Sequence, residues 1–287
     1  MGFKSYTEEI ALIFLWFIFV SLVLSVLSYP LVFSLLKNAG AVKKNYRGET
    51  IPGPGGIVIL LVVLFSLGLT AIFFKNQLTN LQNILNPLLI LVLGMGFLGL
   101  LDDLLGTREV GGFRGHFGEL GRGELTTGLL KAAGGGVLSL YVASFYSPNF
   151  GLLLLNSLVL AFFTNTLNLL DLRPGRAAKV FLTVGLLAFL FSFNNPSWII
   201  WGFLLPPVLV LFYTELREQC MIGDVGSNIL GAILGFTFVV NFTTVPKVVV
   251  LFLLLAVQVY AERYSITELV DRVSFLKWFD ELGRKSK

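Results

Sequence analysis

Nine apolar runs, separated by short clusters of charge or of Gly and Pro, divide the chain near residues 10 to 36, 55 to 74, 84 to 101, 126 to 146, 150 to 169, 178 to 193, 197 to 214, 226 to 241 and 246 to 261. A hydrocarbon core of roughly 30 Å takes about 20 residues of helix, so each run approaches the length of one crossing. The pattern predicts an all-α polytopic membrane protein of about nine transmembrane helices, with boundaries good to a few residues. One integral membrane unit over residues 1–261 is followed by a tail over 262–287. In that tail Ile266, Leu269, Val270, Val273, Leu276, Phe279 and Leu282 recur at helical spacing, and Ser265 with Glu268 suits a capping box. This reads as an amphipathic helix that lies on the inner leaflet or closes the site. The first run follows the acidic "YTEEI" and carries Tyr29 and Pro30 where signal cleavage needs small residues, so it is read as a retained span.

Composition agrees: 55% of residues are apolar, 13% are charged and the mean hydropathy is +0.83, outside the range of soluble domains. Of 21 Lys and Arg, 18 fall on the connections after the odd-numbered runs, with Lys131 just inside the fourth. By the positive-inside rule that side is the cytoplasm, the N-terminus lies outside and the C-terminus inside. Fifteen of 17 acids share that face, so it holds nearly all the polar chemistry. The net charge of +4 is scattered over five segments without an aromatic platform or a binding motif, which argues against nucleic acid and for anionic lipid headgroups. A single cysteine, Cys220, excludes an internal disulfide, and a single histidine, His116, excludes a multi-histidine metal site. Any metal here must be held by oxygen.

Against that background, "LGLLDDLLG" places Asp102 and Asp103 at the inner end of the third run. The pair either ends a span by facing water or helps to hold a hard cation such as Mg²⁺, which takes a few carboxylates, waters and substrate phosphates. Adjacent helical residues point about 100° apart, so the two acids suit two roles better than one shared role. "NTLNLLDLRPGRAAK" sets Asn165, Asn168 and Asp171 on roughly one helix face and follows them with Arg173, Arg176 and Lys179. The asparagines are either site residues or interhelical hydrogen-bond partners. "IGDVGSNILG" puts Asp224 between two glycines where a span begins, which suits a phosphate or cation site, or equally a tight turn with a Ser cap. Lys131, in "TTGLLKAAGGG", either awaits an anion or snorkels to water, and Gly134, Gly135 and Gly136 give neighbouring helices room. Lys43, Lys44 and Arg47 either meet a phosphate or simply obey the charge rule.

Taken in order, "IPGPGGIVIL", "LGLLDDLLG", "TTGLLK", "NTLNLLD" and "IGDVGSNILG" resemble the collinear motifs of the polyprenyl-phosphate N-acetylhexosamine-1-phosphate transferases, the family of phospho-N-acetylmuramoyl-pentapeptide transferase. The resemblance implies Mg-dependent transfer of a sugar-1-phosphate from a UDP-sugar to polyprenyl (undecaprenyl) phosphate, with release of UMP, in envelope glycan synthesis at a bacterial cytoplasmic membrane. Mn²⁺ is an alternative ion, and a homodimer is compatible with the family. By position, Asp102 would hold or deprotonate the lipid phosphate, Asp103 would support substrate or metal, and Asp224 would ligate Mg²⁺. Lys131 would bind phosphate, and Asn168 with Asp171 would line the nucleotide side. The alternative is a catalytically silent member that binds polyprenyl phosphate or an envelope-synthesis partner.

Two departures accompany the resemblance. Where the family continues Asp-Gly-x-Asp-Gly-Leu, this chain has "DLRPGRA". The family's late cytoplasmic histidine cluster is absent, as is a tenth span. Arg173 and Arg176 are therefore expected to take over part of the anion binding, unless they too serve only the charge rule.

Overall fold

The computed structural model describes residues 3–106, 122, 124–192 and 196–284; the expectation for His116 lies outside them. The described residues form helices and one hairpin, joined by turns. In chain order they form α1 (Phe3–Asn38), β1 (Val42–Lys44), β2 (Thr50–Pro52), α2 (Ile57–Phe73), α3 (Lys75–Thr79), α4 (Gln82–Leu105), α5 (Thr127–Ser144) and α6 (Phe150–Leu170). There follow α7 (Arg176–Ser192), a 3-10 turn (Pro196–Ile199), α8 (Ile200–Leu216), α9 (Gly223–Asn241), α10 (Thr244–Arg263), α11 (Ile266–Arg272) and α12 (Ser274–Glu281). A helix stands at each of the nine apolar runs, and among the described residues six helices are long and apolar enough to cross a membrane. Their outward faces stay apolar, with Leu15, Phe19, Ile72, Phe97, Phe191 and Phe252 all exposed, the reverse of a soluble surface and the arrangement lipid requires.

At the centre lies α9, buried almost throughout and packed between α4 and α6, with α7 beside it. Local sequence explains several helix starts. Thr126 accepts from the Leu129 amide at 3.2 Å, Asn149 from Leu152 at 2.9 Å and Ser265 from Glu268 at 3.3 Å, each supplying an otherwise orphaned donor with a partner. Close packing depends on glycine at Gly99, where an added Cβ would lie 2.4 Å from the Asp224 carbonyl oxygen. Gly134 and Gly135 do face α4, but Gly136 has open space beside it, so only part of the expected triplet makes room for a neighbour.

Backbone pairing gathers the polar segments at one end of the bundle. Gly55 and Gly56 donate to the carbonyls of Met221 and Ile222 at 2.8 Å each, and Met221 donates to Pro52 at 3.1 Å. The Pro- and Gly-rich segment after the hairpin is thereby joined to the turn that enters α9. At the opposite end Lys247, itself buried, donates to the Val239 carbonyl at 2.8 Å, satisfying an acceptor near the end of α9. The tail departs from the expected continuous helix, because it breaks at Val273 into α11 and α12. Ile266 and Val270 are buried, whereas Val273 and Leu282 are exposed.

Candidate functional site

Helix α4 runs through to Leu105, so Asp102 and Asp103 sit in its last turn and diverge as adjacent helical residues must. Asp102 faces α5, where Lys131 Nζ lies 2.5 Å from its Oδ2. The same ammonium pairs with Asp224 Oδ2 in the first turn of α9. Oriented to satisfy its neighbours, the Asn168 amide of α6 accepts from Lys131 at 2.8 Å and donates to Asp224 Oδ1 at 3.3 Å. Four helices thus bring two carboxylates and an amide oxygen around one positive charge.

Asp103 points the other way. Its side chain is only 2% exposed, accepts from Lys43 Nζ of β1 at 2.8 Å, and accepts the Val225 amide at 3.0 Å. It therefore ties the hairpin, α4 and the start of α9 together. Gly223 makes this approach feasible: its φ of +71° suits a residue without Cβ, and a Cβ there would stand 2.7 Å from Asp103 Oδ2.

Beside this centre the turn after α6 carries Asp171, whose carboxyl is held well above the usual carboxylate range, first by burial and then by the charges of Glu215, Asp224 and Asp103. Glu215 was not singled out by sequence, yet it accepts the Gly175 amide at 3.1 Å and the Ile222 amide at 3.3 Å, fastening this turn to the one before α9. Cys220 lies in that second turn with its thiol pushed up, chiefly by burial, which keeps it neutral. Tyr46 was also unforeseen. Its hydroxyl donates to Glu218 at 2.9 Å, Arg47 pairs with Glu218 at 3.0 Å, and the Arg173 guanidinium lies 4.7 Å from the Tyr46 ring centroid.

Two expected site residues face elsewhere. Asn165 donates to Gln258 Oε1 of α10 at 2.6 Å, which is the interhelical alternative, and Gln258 donates in turn to Thr166 at 2.9 Å. Arg176 is buried and forks onto Asp280 of the tail, with Nε to Oδ1 at 2.7 Å and Nη2 to Oδ2 at 3.0 Å. Sequence spacing could not pair these residues, since more than a hundred positions separate them. Asp280 answers this pairing: burial acts to raise its carboxyl, but hydrogen bonds and charge from Arg176 and Arg284 bring it below the usual range.

Comparison with known protein families and with curated proteins finds no match.

Among the described residues no three His, Cys, Asp or Glu side chains group as a metal site. The donor set around Lys131 nevertheless suits a hard cation, because Asp102, Asp224 and Asn168 offer only oxygen and already converge on a positive charge. Two carboxylates and an amide leave room for the waters and substrate phosphates that Mg²⁺ prefers.

Proposed function

We propose that the protein is a membrane transferase that moves a sugar-1-phosphate from a UDP-sugar to polyprenyl phosphate, as its motifs resemble. The observation that carries this reading is the convergence of Asp102, Lys131, Asn168 and Asp224 from four helices onto one point at one end of an apolar bundle. In this reaction a lipid phosphate oxygen attacks the β-phosphorus of the UDP-sugar. The bond from that phosphorus to the bridging oxygen breaks, and UMP leaves with the oxygen. Asp102 holds or deprotonates the attacking phosphate. Lys131 exchanges its carboxylate partners for phosphate oxygens, which frees Asp102 and Asp224 toward a cation. Asp224, with Asp102 and Asn168, would hold Mg²⁺, which neutralises phosphate charge when bound. Asp103 keeps the hairpin and α9 in register, and Asp171 lines the nucleotide side.

This reading places the site end in the cytoplasm of a bacterium, at its inner membrane, with nine crossings, N-terminus out and C-terminus in, as the 18-to-3 division of basic residues suggests. Purified protein with undecaprenyl phosphate, Mg²⁺ and a panel of UDP-sugars should release UMP with at least one donor, only when both lipid and metal are present. Silence with every donor would replace the transferase with a polyprenyl-phosphate binding protein.

A further inference from the structure

We propose that Asp280 of the C-terminal tail is a positioning residue for the site: through Arg176 and Arg284 it fixes the 171–175 turn that carries Asp171 and Arg173. What the turn is positioned for rests on the transferase reading; that it is positioned does not.

The observations begin with a carboxylate on the tail that meets two guanidinium groups. Arg176, 5% exposed, binds it through both Nε and Nη2, the forked geometry in which an arginine–carboxylate pair is strongest. Its Nη1 donates to Thr267 of α11 at 3.2 Å, so the same guanidinium also holds the first tail helix. Arg284 stands 2.7 Å from Asp280 Oδ1 and donates from Nε to the Pro174 carbonyl at 3.0 Å, a direct link from tail to turn. Lys179 donates to the carbonyls of Phe279 at 3.0 Å and Asp280 at 2.5 Å, satisfying acceptors where α12 ends. On its other side the turn is held by Glu215, through the Gly175 amide. The segment between Asp171 and Arg176 is thus clamped from both sides, by α8 and by the tail.

A clamp made of buried charge is stiff but conditional. If Asp280 loses its charge, Arg176 stays buried without a counter-ion, and moving the guanidinium toward water moves the start of α7 with it. The tail is joined to the bundle by the short connection between α10 and α11, and its outer face presents Phe275 and Trp278 to the surroundings rather than to the bundle. The polar contacts of Asp280 with Arg176 and of Arg284 with Pro174 join it to the turn directly.

The test is hydrogen exchange on the full-length protein in lipid nanodiscs, with wild type, Asp280→Asn and Asp280→Glu compared. Asp280→Asn should speed exchange over residues 171–176 by roughly tenfold and leave the far end around Val239 and Lys247 unchanged, while Asp280→Glu restores most of the protection. Arg284→Gln is a milder variant, breaking the Pro174 link and a flank of the clamp, and should speed the same segment by about threefold. In the transfer assay Asp280→Asn should lower kcat with the KM for polyprenyl phosphate little changed. Unchanged exchange over 171–176 would overturn the proposal, as would acceleration spread evenly over the chain or rapid exchange with wild-type kcat. A wild type inactive with every donor counts against the transferase reading alone, because the exchange result stands without turnover.

Discussion

Lys131 holds two carboxylates and an amide oxygen with one ammonium, and removing it leaves Asp102 and Asp224 facing each other without a cation. Breaking a buried pair costs about 3 to 5 kcal/mol, less where water reaches the site as it does here. Lys131→Gln should therefore lower the melting temperature by several degrees. Added Mg²⁺ should recover more stability in this variant than in wild type, since the ion replaces the lost charge. Equal Mg²⁺ responses in a thermal-shift titration would show that the oxygens do not form a cation site. Asp224→Asn keeps the volume and removes a ligand, so Mg²⁺-dependent UMP release should fall by more than the roughly 10- to 100-fold typical of losing an outer partner of a metal ligand. At Asp280 the sign of the pH dependence follows from its lowered pKa. The charged form is favoured in the folded protein, so the clamp contributes in full above the ordinary carboxylate range and is lost as pH falls through the depressed value. Hydrogen exchange over residues 171–176, corrected for the intrinsic pH dependence of exchange, should show full protection at neutral pH and lose it only in acid, below about pH 4. Arg176 shows what spacing alone hides: a guanidinium in a basic motif reads as an anion site until its partner, far along the chain, is seen beside it.

Among the elements, α4 and α9 cross where Gly99 meets the backbone of Asp224. Gly99→Ala would press a methyl group against that carbonyl, and overpacking of this kind costs about 1 to 3 kcal/mol. The strain falls on Asp224 itself, so activity should drop further than thermal stability does. Gly136→Ala is the control, because nothing lies within 4 Å of its added Cβ. There the better helix propensity of alanine, up to about 1 kcal/mol, should leave the protein as stable as wild type or more so. Paired melting curves and UMP assays would separate the two glycines, which look alike in sequence. The elements themselves were largely legible: apolar length marked where helices stand, and Ser265 marked a start, because hydrophobic matching and capping are local; the caps at Thr126 and Asn149 came to light in the structure. The break at Val273 was hidden by continuous helical spacing, which records which residues are apolar and not where the tail must bend to bring Asp280 to Arg176.

Among the described residues the hairpin, the end of α4 and the turn that enters α9 share one end. Single cysteines placed near either terminus should label from opposite sides of sealed vesicles, the tail position reacting only from the cytoplasmic side. The natural Cys220 is buried and neutral, and should stay silent at neutral pH. Labelling of both termini from one side would imply an even number of crossings and remove the proposed topology. Sequence alone determined the apolar helical architecture and the gathering of acids and bases into the connections after alternate runs, since lipid enforces both regardless of how helices pack. It also determined that Asp102, Lys131, Asn168 and Asp224 were worth placing together. Only the tertiary structure decided that one ammonium bridges Asp102 and Asp224, that Asp103 turns to Lys43, that Asn165 serves α10, and that Arg176 belongs to the tail. Each of these choices depends on the rotation of one helix against another, set by close glycine contacts and by the pairing of buried charges. Neither leaves a periodic trace along the chain.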